Sequence, residues 1–170
     1  QKNRLPLALV LERHLQELRK GKYKDIVLKA EAKPRKRAEM GTVNDSCFVC
    51  SQIESAMGGM LNTVMKQWER DADFRKLFGE QEYICLPHAE KLLTVAHDTL
   101  GRKEYPPFKE LVLSLLDKHL ESVGADVSHF CKMFDYRNAG PNADWGNSRD
   151  SIERAILALS TRDFRSGGEQ

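Results

Sequence analysis

The sequence predicts an all-α fold, a bundle of about five to six helices, and three observations carry that prediction. Apolar residues recur at intervals of three and four in most long segments. No segment alternates with the period of two that a half-buried strand requires. The balance of 41% hydrophobic and 31% charged residues suits amphipathic helices with wide solvated faces.

The first helix is expected over about 6–18, with Pro6 early, where its missing N–H costs nothing. Leu7, Val10, Leu11, His14, Leu15 and Leu18 form its stripe, which makes His14 a buried, hydrogen-bonded core histidine. From about 19 to 40 the chain turns basic, loses its period and reads as a solvated linker broken at Pro34, with Ile26, Val27 and Leu28 able to dock on the core. Its run 33–37 also has the composition of a localisation signal or a phosphate-binding arm.

A second helix starts just after Cys50, with Ile53, Ala56, Met57, Met60, Leu61, Val64 and Trp68 on its apolar face. Gly58 and Gly59 weaken it, which implies close approach of another backbone there. A short helix over 71–78 stops at Gly79, and 81–84 leads into Cys85. Pro87 opens the next helix, which turns Ala89, Leu92, Leu93, Ala96 and Leu100 inward and ends at Gly101. Tyr105-Pro106-Pro107 reads as a turn. The longest helix follows over about 107–134, with Phe108, Leu111, Val112, Leu115, His119, Val123, Val127, Phe130 and Phe134 in phase. After a loop over 138–144, a last helix over 148–160 presents Ile152, Ala155, Ile156 and Leu159. The whole is one helical domain over 1–164, with 165–170 a disordered tail.

A net charge of +2 over 170 residues argues against a dedicated nucleic-acid binder, and a contact through the basic stretch 19–37 is the weaker alternative. No apolar run approaches the roughly 20 residues that span a bilayer. The N-terminal residues lack the apolar core and cleavage site of a signal peptide, so a cytoplasmic protein is expected. The missing initiator Met implies a truncated chain.

The four cysteines point to a metal rather than to disulfides. Cys47 and Cys50 form a C-x-x-C, Cys85 and His88 a C-x-x-H, and Cys131 stands apart in a helical stretch. A C-x-x-C knuckle converges two thiolates on one ion, and a C-x-x-H at a helix start adds a sulfur and an imidazole nitrogen. Both pairs precede helices, where free N–H groups favour thiolate. Cys47, Cys50, Cys85 and His88 therefore form a Cys₃His knuckle, at 47–50 and 85–88, that joins two helix N-termini. Thiolates suit zinc or an iron–sulfur cluster and not magnesium or calcium. The leading expectation is a structural zinc in a non-enzymatic protein; the alternative is an iron–sulfur redox or sensor protein using the same ligands.

Other readings are weaker. A redox dithiol needs a strand before the motif, and 41–45 makes a poor one. Covalent haem needs His after the second cysteine, where Ser51 stands. Four protein ligands close a zinc to water, which disfavours hydrolysis. His129 and Cys131 point to different faces, and His97 and His119 make no catalytic pair. No phosphate loop or nucleophile elbow occurs.

Several motifs carry a resemblance: Asp45-Ser46-Cys47-Phe48-Val49-Cys50, Trp68, Phe74-Arg75, Cys85-Leu86-Pro87-His88, then Lys132-Met133-Phe134-Asp135-Tyr136-Arg137-Asn138 and Trp145-Gly146-Asn147-Ser148-Arg149-Asp150, ending at Arg154-Ala155-Ile156. With them the chain resembles the bacterial domain-of-unknown-function family 6062, found mainly in Gram-positive anaerobes, over nearly everything from residue 3 to residue 159. The resemblance implies no activity. It does imply an upstream C-x-x-C and C-x-x-H half that is missing here, and with it a second metal site. An anaerobe's cytoplasm would favour the iron–sulfur alternative. Asp135, Tyr136, Arg137, Trp145, Arg149, Asp150 and Arg154 are expected to form a charge network with two aromatic residues, either an interaction surface or a clamp holding the last helix on the long one. The sequence names no partner; a protein partner or a homo-oligomer stays open.

Overall fold

The computed structural model of the chain describes residues 4–21, 24–31, 48–135, 137–138 and 143–161, and within them the side chains of Asp25, Ile26, Lys29 and Cys50 are not described. Seven α-helices occur among the described residues: α1 (Leu5–Lys20), α2 (Lys24–Glu31), α3 (Phe48–Arg70), α4 (Ala72–Gly79), α5 (Leu86–Thr99), α6 (Tyr105–Lys132) and α7 (Ser151–Ser160). A 3₁₀ turn at Gly146–Asp150 leads into α7. No strand occurs among these residues, and no helix in them is long and apolar enough to cross a membrane. The 33–37 run, Cys47 and the tail 165–170 lie outside the described residues.

The core is organised on α6. Phe108, Val112, Leu115, Leu116, Leu120, Val123, Val127 and Phe130 are buried along it at helical spacing. Helices α1, α5 and α7 pack on that stripe, while α2 and α3 pack against α5. Each fully buried leucine or phenylalanine contributes about 1.5–3 kcal/mol of transfer free energy. Tyr105-Pro106-Pro107 is not a turn but the first turn of α6, where proline loses no hydrogen bond. Phe134 falls beyond the helix and is exposed.

In α1 the inward face is rotated from the expected stripe. Ala8, Leu11 and Leu15 are buried, whereas Leu7, Val10 and His14 are exposed. The helix is apolar all round at its start, so the small Ala8 decides which side comes close to its neighbours. His14 is thus a surface residue and not a core histidine.

The expected basic linker is helical over 24–31. Ala30 is buried, and Glu31 Oε1 accepts hydrogen bonds from the Tyr105 hydroxyl at 2.9 Å and from Lys109 Nζ at 2.8 Å. Those bonds fasten α2 to the first turn of α6, and Leu28 stays exposed. Eight residues offered too little apolar period to announce the helix.

An aromatic knot holds the second half of α3. Trp68 meets Phe108 edge-on at 5.0 Å and Phe78 at 6.3 Å, while Phe78 stacks on Phe74 and on Phe108. Asp71 caps α4 by accepting from the backbone N–H groups of Asp73 and Phe74. Arg75 closes the corner: it donates to the Trp68 carbonyl, lies over the indole and pairs with Glu104 at 3.1 Å.

The Glu31 carboxyl is held below the usual carboxylate range, first by the Lys109 hydrogen bond and then by that from Tyr105. Its contribution to stability is present above the ordinary carboxylate pKa of about 4.3 and is lost as pH falls through the lowered folded value. Glu31→Gln should therefore melt below the unsubstituted chain at pH 7, and the gap should close as the pH falls below about 4. A gap of equal size at both pH values would show that the anchor is not ionic.

Candidate metal centre

The second candidate ligand pair, Cys85 and His88, stands at the start of α5. Cys85 is the N-cap residue, extended at φ −83° and ψ 154°, and Pro87 sits in the first turn. The Cys85 carbonyl accepts the Ala89 N–H at 2.9 Å, which starts the helix. One turn of helix then brings His88 under Cys85, so that Cys85 Sγ lies 3.0 Å from His88 Nδ1. Cys85 is 6% exposed and His88 half-buried. A sulfur at about 2.3 Å and a nitrogen at about 2.0 Å on one tetrahedral zinc stand roughly 3.5 Å apart. The pair is thus within a small side-chain adjustment of a shared ion. Its sulfur is also at the positive end of a 14-residue helix, where the first-turn N–H groups lack intrahelical partners.

The first pair is only partly in view. Cys50 lies inside the first turn of α3, which begins at Phe48, not ahead of the helix as expected. Glu54, one turn further along the same helix face, pairs with Lys91 Nζ at 2.9 Å and 3.0 Å. Lys91 is in turn three residues beyond His88. Helix α3 therefore runs beside α5 at Glu54 and Lys91, with position 50 about one turn before Glu54 on one helix and position 88 about one turn before Lys91 on the other. Among the described residues no group of three or more candidate metal ligands occurs. The Glu54–Lys91 tie was not foreseen, because the charges are 37 residues apart and flank the candidate ligands without resembling them.

Cys131 is chemically separate from this end of the molecule. Burial, with Glu12 beside it, pushes its thiol up to about 11, so it is a protonated, inert thiol at neutral pH. The imidazole Nε2 of His129 lies 2.9 Å from the Asp144 carbonyl. His97 is exposed against Tyr105, and His119 is half-buried against Tyr83, with its pKa lowered by burial and then by the charge of Arg154. In the basic stretch, Arg19 is engaged by Asp117 at 3.6 Å and Glu121 at 3.1 Å.

A family model described as a family of unknown function, DUF6062, matches residues 1–165. The chain belongs to that family. No curated protein and no solved structure gives a significant match. DUF6062 thus brings no activity or ligand to the chain, and the chemistry of the residues has to carry the reading.

The remaining signature residues of this DUF6062 chain divide into two charged groups. Arg137 pairs with Asp135 at 2.7 Å within one exposed turn and holds that carboxyl below its usual range. Arg154 bonds Asp126 of α6 at 2.9 Å, Asp150 at 3.0 Å and the Asn147 carbonyl, which ties α7 and the 3₁₀ turn to α6. Trp145 stands between the groups, edge-on to Phe130 at 5.6 Å and to Phe134 at 5.9 Å. Arg149 is exposed, and Tyr136 lies outside the described residues. Arg154→Met should cost about 1–2 kcal/mol, or roughly 3–6 °C in Tm, with faster hydrogen exchange in α7. Arg149→Met should leave both within error, and equal losses from the two substitutions would count against the assignment.

Proposed function

We propose that this DUF6062 protein holds one structural zinc through Cys47, Cys50, Cys85 and His88 and that the ion staples the start of α3 to the start of α5. The observation that carries the reading is the convergence of Cys85 Sγ and His88 Nδ1 at 3.0 Å, beside a helix whose first turn contains Cys50. The Glu54–Lys91 pair supports it by keeping those two helix starts together. When bound, the zinc supplies a cross-link and no chemistry, since four protein ligands leave no position for water. The chain's own part is to present three thiolates and one neutral imidazole, with two helix N-termini stabilising the negative sulfurs. A reducing compartment, the cytoplasm, keeps such thiols available.

Elemental analysis and absorption of protein purified without oxygen or added metal test the reading directly. About one zinc per chain and no visible band are expected. Chelation should then remove several kcal/mol of stability, on the order of 10 °C in Tm. Cys50→Ser and His88→Ala should each weaken zinc binding by more than about 100-fold, while Cys131→Ser leaves the stoichiometry unchanged. Iron with sulfide and a band near roughly 400 nm would move the same ligands into redox chemistry. A metal-free protein, or a melting curve indifferent to chelation, would sink the staple.

A further inference from the structure

We infer that the outward face of α3 is the contact of a two-fold dimer, in which the α3 helices of two copies of this chain pack antiparallel about an axis between Ala56 and Met57. The inference goes beyond the zinc reading and does not depend on it: the face includes neither Cys85 nor His88, which line a separate cavity with Tyr83, Leu157 and Thr161.

Helix α3 carries more apolar surface than its own chain covers. Leu61, Met65 and Trp68 are buried and occupy one arc of the helix. A second arc of about 100° carries Val49, Ile53, Ala56, Met57, Met60 and Val64. Met57 and Val64 pack partly against the core, whereas Val49, Ile53 and Met60 are 62%, 58% and 66% exposed. On the order of 300 Å² of apolar surface stays open there, the size at which a patch on a soluble protein marks a contact. Charge does not protect it. From Val49 to Met65 the sequence holds one charged residue, Glu54, although 31% of the chain is charged, and Glu54 is engaged by Lys91 of α5 at 2.9 Å. Depletion of charge and enrichment in methionine are the composition of an interface core. The close backbone approach expected at Gly58 and Gly59 does not occur either: a Cβ built on either residue would meet nothing within 4 Å.

The order of the residues along the stripe selects its occupant. Reversing α3 about the point between Ala56 and Met57 maps the set on itself, Val49 onto Val64, Ile53 onto Met60 and Ala56 onto Met57. An isologous contact demands this self-match, because a two-fold axis sets one surface against its own reversed copy. Val49, Ile53, Ala56 and Met60 also alternate spacings of four and three, the seam along which two helices interlock at a shallow angle. The antiparallel arrangement opposes the two helix dipoles and sets no like charges against each other along the stripe. A nucleic acid or an anionic membrane surface finds no basic residue on it. A standard interface buries about 800 Å² on each partner, so this stripe forms the centre of a small contact and the dimer is reversible.

Sedimentation of the full chain under reducing conditions tests this. Dimer should dominate at about 200 μM and monomer at about 1 μM, as a small interface requires. Ile53→Glu and Met60→Lys should each weaken association by more than about tenfold, since each sets an unpaired charge in the contact. Leu77→Glu, at an exposed leucine on α4 away from the stripe, should leave association unchanged. Because Ile53 of one copy meets Met60 of the other, an equimolar mixture of the Ile53→Glu and Met60→Lys chains should regain much of the lost association. A chain that stays monomeric at about 200 μM would overturn the dimer and leave the stripe to an occupant other than a second copy. A dimer indifferent to Ile53→Glu, or weakened equally by Leu77→Glu, would overturn the assignment of the face. A mixture that fails to associate would overturn the antiparallel register.

Discussion

A helix of 28 residues is about 42 Å long, and α6 carries a continuous buried stripe along almost all of it, from Phe108 to Phe130. A stripe of that length cannot be covered by one partner of ordinary size, so α1, α5 and α7 share it. The rest of the architecture follows from that division. Helix α5 is apolar enough to pack on α6 with one face and to receive α2 and α3 with others. Helix α7 is short and is held at its entrance by Arg154 reaching Asp126 on α6. Phe108, at the start of the stripe, also belongs to the aromatic knot, so the far end of α3 is fixed by the same helix that organises the core.

Among the described residues, the start of α3 is more exposed than its second half. The core supplies one rigid pair, Cys85 and His88, because α5 is buried against α6 immediately after it. The first turn of α3 precedes that helix's buried residues, Leu61, Met65 and Trp68. The proposed zinc would contribute where hydrophobic burial does not, as metals do in domains whose cores stop short of their edges.

Long-period features were legible in the sequence and short or distant ones were not. The inward face of α5 was read residue by residue and the stripe of α6 in large part, because both helices run long enough for the period to dominate; on α6 the buried Leu116 and Leu120 were missed, while Leu111, His119 and Phe134 are not buried. The C-x-x-H was read from spacing, and the structure brings its two side chains together at 3.0 Å. The face of α1 was misread because seven apolar or small residues crowd its first eleven positions and leave the period undefined. Helix α2 was missed because its anchor, Glu31, finds partners 74 and 78 residues away, and no local pattern encodes such a contact. The same holds for Glu54 with Lys91 and Arg154 with Asp126. Charged residues read as solvated faces in the sequence became the cross-ties between elements.

Those distant partners carry a consequence for synthesis. Glu31 waits for Lys109, and Glu12, which accepts from the Ser128 hydroxyl, waits for a residue 116 positions later. At roughly 5–20 residues per second, the N-terminal helices leave the ribosome on the order of ten seconds before the surface they rest on exists. During that interval Ala8, Leu11 and Leu15 face water or whatever binds nascent chains. Helices α1 and α2 are made before the surfaces that hold them.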